Sequence, residues 1–137
     1  MKLDSSAFVA DPELIHALEE KSTPVSCGEE RVIFQQGDLP EGLYILDQGK
    51  ITLTMTSPGG KEVMQMEAQQ GSLLGLPGLI GQGPYTLSAI AHDGARLSFV
   101  PRDQFTGLMQ ADAQLSFKIL QILAAELRSA RQALSTR

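Results

Sequence analysis

At Pro101 the spacing of apolar residues changes from a period of two to steps of three and four, and that change sets the kind of fold open to this chain. Upstream, from about residue 25 to residue 100, short β-rich runs alternate with turn residues. Arg31-Val32-Ile33-Phe34 runs into the turn Gln36-Gly37-Asp38, and Leu43-Tyr44-Ile45-Leu46 ends at Gln48-Gly49. The clearest alternation comes next: Ile51, Leu53 and Met55 face one way, Thr52, Thr54 and Thr56 the other. Ser57-Pro58-Gly59-Gly60 turns the chain, Met64 and Met66 return on the inward side, and Arg96-Leu97-Ser98-Phe99-Val100 closes the series. Short strands at this spacing predict a barrel, sandwich or roll, and closure of a roll removes exposed strand edges.

Helices flank this β stretch. Asp11 suits an N-cap, Pro12 the first helical position, and Leu14, Ile15 and Leu18 one apolar face, so a helix is predicted over 11–20 and stops before Pro24. After Pro101 a short helix over about 102–110 carries Phe105, Leu108 and Met109, and Asp112 can cap a long one over about 112–134. Leu115 opens the apolar stripe of that last helix, and Ile119, Ile122, Leu123, Leu127, Ala130 and Leu134 continue it. Its first part suits packing on the chain's own β surface. Leu127, Ala130 and Leu134 lie two turns or more past what a small roll covers at about 1.5 Å per residue, which predicts pairing with a second copy in a homodimer.

The 137 residues suit a single domain over 1–137 with one core. A formal net charge of −5, with only a weak cluster at Arg128, Arg131 and Arg137, argues against contact with DNA. The sequence finishes at Arg137 with the long helix, so no helix-turn-helix domain is expected. The single cysteine, Cys27, cannot form an intramolecular disulfide. No apolar run is long enough to span a bilayer and Met1–Ser6 lacks a signal-peptide core, so a cytoplasmic location with no membrane contact is expected. There is no nucleophile elbow, Walker loop or HExxH, which points away from an enzyme. His16 and His92 stand without metal-ligand spacing, so no metal and no cofactor is expected.

Within the order helix, β segment, short helix, long helix lie Gly37-Asp38-Leu39-Pro40-Glu41-Gly42-Leu43-Tyr44, Gln48-Gly49-Lys50-Ile51, Pro58-Gly59-Gly60-Lys61-Glu62-Val63 and Gly71-Ser72-Leu73-Leu74-Gly75, then Pro101-Arg102-Asp103-Gln104-Phe105. This ordered set resembles the cyclic-nucleotide-binding domain of the catabolite-activator and fumarate-nitrate-reductase regulator superfamily. The resemblance implies a mainly β fold with flanking helices: a double-stranded β-helix, or jelly-roll type β-roll, followed by a long C-terminal helix.

It also implies a site. In the family a cyclic phosphate sits against a short helix whose N-terminal amides face the anion. A Gly-Glu pair precedes that helix, and an Arg-Ser-Ala or Arg-Thr-Ala follows it. The glutamate accepts from the ribose, and the arginine pairs with the phosphate. Here Gly75 falls on the glycine and Leu76 on the glutamate. Pro77 and Gly78 continue the short helix, Ser88 and Ala89 fall on the final pair, and Leu87 falls on the arginine, with Thr86 an alternate match. No Lys or Arg occurs between Lys61 and Arg96. A buried phosphate without a cationic partner bears a desolvation cost of several kcal/mol, set against about 8 kcal/mol for a whole micromolar affinity. Cyclic AMP binding is therefore expected to be weak or absent. Met66, Leu79, Tyr85 and Thr86 join Leu76 and Leu87 as candidates to line an apolar cavity, and the same residues also suit a filled core.

The resulting expectation is a regulatory sensor module with a degenerate phosphate cassette, taking at most an unidentified small molecule and assembling or signalling through its last helix. An ordinary cyclic AMP or cyclic GMP sensor and a vestigial interaction domain are the alternatives.

Overall fold

The computed structural model describes residues 4–135, with side chains through residue 133. A 3-10 turn, Ser5–Phe8, leads into α1 (Pro12–Glu19). Five strands follow: β1 (Thr23–Ser26), β2 (Arg31–Phe34), β3 (Gly42–Gln48), β4 (Ile51–Thr56) and β5 (Glu62–Glu67). Then come β6 (Leu73–Leu74), α2 (Leu76–Gly81), β7 (Ser88–Ala91), β8 (Arg96–Pro101), α3 (Arg102–Ala111) and α4 (Ala113–Ser135). The expected caps form. Asp11 Oδ1 accepts from the Leu14 amide at 2.8 Å, and Asp112 Oδ1 from those of Gln114 and Leu115 at 3.0 and 3.1 Å.

The eight strands make two antiparallel sheets, ordered β1-β8-β3-β6 and β2-β7-β4-β5. Both contribute to one interior: Leu46, Leu74 and Leu97 from the first meet Phe34, Leu53 and Ala89 from the second. A second core covers the outer face of the first sheet, where Leu14, Leu18, Phe105, Leu115 and Ile119 of the helices pack on Leu43, Ile45 and Val100. This explains why β3 reads as an unbroken apolar run: Leu43 and Ile45 face the helices, Tyr44 and Leu46 face the roll, so both faces are covered. β6 divides in the same way, Leu73 to the helix side and Leu74 to the roll.

Two local expectations change. Pro24 does not merely stop α1; it lies within β1, opposite Ser98, and β1 is an edge strand, where a missing N–H costs no ladder bond. The far half of α4 does not project past the domain. Glu126, Ser129 and Ala133 are buried, and Ser129 Oγ accepts from the Asp4 amide at 2.6 Å. The 3-10 turn extends the surface available to α4 by the missing turns. Leu134 lies outside the described side chains.

Candidate functional site

α2 stands at the mouth of the roll. Its N-cap is Gly75 at φ +95, a left-handed conformation that glycine adopts without strain. A Cβ there would also lie 2.6 Å from Cε1 of Tyr85, so the tyrosine ring rests on bare backbone. The Tyr85 ring stacks on Phe34 with centroids 3.9 Å apart, and its hydroxyl donates to the Gly42 carbonyl at 3.1 Å. Burial, then the Tyr44 phenol, pushes the Tyr85 hydroxyl up to about 12, so it remains a donor at any physiological pH. The segment after α2 is tied down on both sides of Tyr85: its carbonyl accepts from the Gly37 amide and its amide donates to Asp38 O, each at 2.9 Å. Ser88 Oγ accepts from the Gln36 amide at 2.8 Å.

The cassette positions therefore separate. Leu76 is fully buried, but in the helix-side core; it does not line the roll cavity. Leu79 likewise joins that core and lines a separate apolar groove of about 330 Å³ with Phe105, Met109 and Leu120. Met66 is buried within the roll interior without lining either compartment of the roll mouth. Gly78 is held by close approach, since a Cβ there would stand 2.6 Å from the Pro84 carbonyl oxygen. Ala89 is fully buried on the roll side of β7. Leu87, Tyr85, Thr86, Gly75 and Pro77 do meet around one cavity.

Two neighbouring compartments share part of this lining. The inner one is about 10 Å³, room for about one water molecule, enclosed by Phe34, Leu53, Leu74, Tyr85 and Leu87 among others. The outer cleft is about 170 Å³ and adds Met55, Leu127 and Ala130. Phe8, Pro77, Thr86, Leu87 and Glu126 line both. Neither compartment reaches the roughly 300 Å³ at which ligand pockets usually begin. Pro77, at the second position of α2, has no N–H, so the six-residue helix presents one amide fewer to an anion.

Sequence reasoning missed Glu126. It sits on α4 at 4 % exposure, and neither carboxylate oxygen has a hydrogen-bond partner among the described residues. Burial alone pushes its carboxyl up to about 8. Its place a turn after Ile122 and Leu123 puts it near the helix face that packs on the chain's own core, but only the roll-side residues Phe8, Leu53 and Leu87 show that it is enclosed. Among the described residues no Lys or Arg lines either compartment. The two histidines lie elsewhere. His16 faces Glu20 at 3.0 Å, and His92 stands 2.8 Å from Thr52 Oγ1 and 3.6 Å from Glu30.

α4 divides its apolar residues between two faces. Ile119 is 2 % exposed and belongs to the helix-side core, with Ile122 and Leu123 packed against it; Ala130 packs on the roll interior. Ile119 is therefore unavailable to a partner. Among the described residues Phe117, Leu120 and Leu127 are the large apolar side chains of α4 left exposed.

Two facing antiparallel sheets, a short helix at the roll mouth and a long closing helix define a β-roll fold. The cyclic nucleotide-binding domain family model matches residues 24–112, and the chain belongs to that family. It is 32% identical over 98 residues to the cyclic AMP receptor protein of Thermus thermophilus, covering 72% of this chain and 45% of that one. It is 26% identical over 118 residues to a CRP-like cAMP-activated global transcriptional regulator of Mycobacterium tuberculosis, covering 86% and 53%. The chain thus spans about half the length of these curated relatives. In structure it resembles the Thermus thermophilus catabolite activator protein, with a TM-score of 0.79 at 27% identity over 92% of this chain and 59% of that one. The sensor domain of the regulator DNR from Pseudomonas aeruginosa shares the fold, with a TM-score of 0.67 at 19% identity over 89% and 82%. Among the described residues no helix is long and apolar enough to cross a membrane.

Proposed function

We propose that this chain is a cytoplasmic regulatory sensor module whose cassette has lost its anion chemistry, so that it does not bind cyclic AMP or cyclic GMP at micromolar concentration. It works as a homodimer through α4. The observation that carries this reading is the pairing of Leu87 with Glu126 around one cavity: an apolar side chain at the position matched to the family's arginine, and an unpartnered carboxylate facing the same space. A cyclic phosphate brought to about 5 Å from an ionised Glu126 would be repelled by about 3 kcal/mol at an effective dielectric of about 20. The alternative is to protonate the acid, which removes the repulsion and still supplies no cation. Pro77 and the small cavity act in the same direction.

Support for the dimer comes from the exposed residues of α4. Phe117, Leu120, Ala124 and Leu127 recur at steps of three, four and three, the spacing of a two-stranded coiled-coil seam, and all four are exposed. The relatives named as transcriptional regulators support a regulatory role in place of an enzymatic one.

Isothermal titration calorimetry with cyclic AMP and cyclic GMP tests the reading. No saturable heat up to about 100 μM nucleotide is expected, and a Kd of 10 μM or tighter for either overturns it.

A further inference from the structure

We propose that the cleft between α4 and the roll mouth takes a small organic cation, an ammonium or amidinium group on a single-ring apolar body, with Glu126 as its counter-ion. The proposal rests on the degenerate-cassette reading above and names the ligand class it leaves open.

Three features select that class. The first is Glu126 itself: both oxygens are enclosed, and no protein donor among the described residues reaches either one. A buried carboxylate in this condition calls for N–H donors, and a positively charged donor satisfies both its hydrogen bonds and its charge. The second is that no cation lines the cleft among the described residues, so none of them competes for Glu126 or attracts an anion. Tyr85 is the other titratable side chain there, and its hydroxyl is already committed to Gly42. The third is size and polarity. The outer cleft of about 170 Å³ is walled by Phe8, Met55, Leu87, Leu127 and Ala130. Cavities of about 150 Å³ with such walls hold one benzene-sized ring. That volume matches one ring bearing one charged nitrogen and falls well short of the roughly 300 Å³ at which pockets for larger ligands begin. Burial raises the proton affinity of Glu126, and a bound cation reverses that preference by restoring the charged form.

The test uses four single-ring probes on the whole chain: benzylamine and benzamidine as cations, benzyl alcohol as the neutral isostere of benzylamine and phenylacetate as the anion. Binding is followed by calorimetry and by the ligand dependence of Tm. At least one cation is expected to give a saturable rise in Tm, with affinity at least tenfold above both benzyl alcohol and phenylacetate. Glu126→Gln is expected to weaken the cation at least tenfold while leaving benzyl alcohol within threefold. Benzyl alcohol binding as tightly as the cations, or neither cation binding, overturns the proposal. Should the Glu126→Gln chain fail to fold by circular dichroism, the comparison of probes on the unaltered chain still decides. A parallel titration with cyclic AMP separates the two claims. Micromolar cyclic AMP binding overturns the degenerate-cassette reading, whereas absence of both nucleotide and cation binding overturns only the cation proposal.

Discussion

Replacing Glu126 by leucine is expected to stabilise the protein, and increasingly so as the pH rises. The carboxyl has an ordinary value of 4.5 in the unfolded chain and about 8 in the folded one, with burial as the cause. The folded state therefore binds the proton more tightly. The protein bears no ionisation penalty from this group below pH 4.5, a growing one between 4.5 and 8, and the full one above 8. At about 1.36 kcal/mol per pH unit the full penalty is about 5 kcal/mol, of which about 3 kcal/mol is present at pH 7. Leucine has no charge to desolvate, fits among Phe8, Leu53 and Leu87, and also removes the unmet hydrogen bonds of the neutral acid. Urea unfolding of both chains at fixed protein concentration across pH 5 to 9 gives the comparison. The stability difference should widen by about 1.4 kcal/mol per pH unit up to about pH 8 and then level off. Asp4 and Asp11, whose carboxyls are held below the usual range chiefly by Ser6 and by Lys118, titrate identically in both chains and cancel. A difference that stays flat with pH would refute the reasoning, because it would mean that Glu126 is solvated or ion-paired in solution.

Leu127→Glu, at an exposed position on the seam proposed for α4, is expected to shift sedimentation from dimer to monomer while leaving the far-UV spectrum unchanged. Gly75→Ala places a Cβ 2.6 Å from the Tyr85 ring at φ +95 and should cost about 1–3 kcal/mol in denaturant unfolding. Tyr85→Phe removes the buried hydrogen bond to Gly42 and leaves that carbonyl without it. The expected loss is about 1–2 kcal/mol, with the Phe34 stack retained.

The elements with a strong period were legible in the sequence. The alternation of Ile51 to Thr56, the caps at Asp11 and Asp112 and the change at Pro101 each lie where the residues place them. β7 was not legible, because in Ser88-Ala89-Ile90-Ala91 the buried positions are the two alanines and the large apolar Ile90 is on the less buried face, and β6 is only two residues long. The site was legible in part. Leu87 faces the cavity as its place before Ser88-Ala89 implies, but Leu76 turns to the other core. The two-sided burial of the first sheet sends Leu73 and Leu76 toward the helices and Leu74 toward the roll. Spacing along one strand cannot reveal that division. Glu126 stayed hidden for a related reason: a carboxylate on a long helix suggests solvent until the 3-10 turn at Ser5–Phe8 is seen to cover that face.

The geometry of α4 links the two proposals. Glu126 and Leu127 are consecutive residues, and both line the outer cleft. Glu126 is enclosed by its own roll, while Leu127 is 56% exposed and lies on the seam proposed for the partner helix. An occupant of the cleft would therefore touch one residue that holds α4 to the roll and its neighbour that faces the second copy. Such contact regulates assembly only if the ligand binds dimer and monomer with different affinity; equal affinity shifts nothing, however tight the binding. A tenfold preference for each of two sites corresponds to about 2.8 kcal/mol in the dimerisation free energy. That is enough to move a dimer of micromolar strength across its midpoint. The sign depends on Leu127, since a ring that presses it outward strengthens the seam and one that draws it into the cleft weakens it.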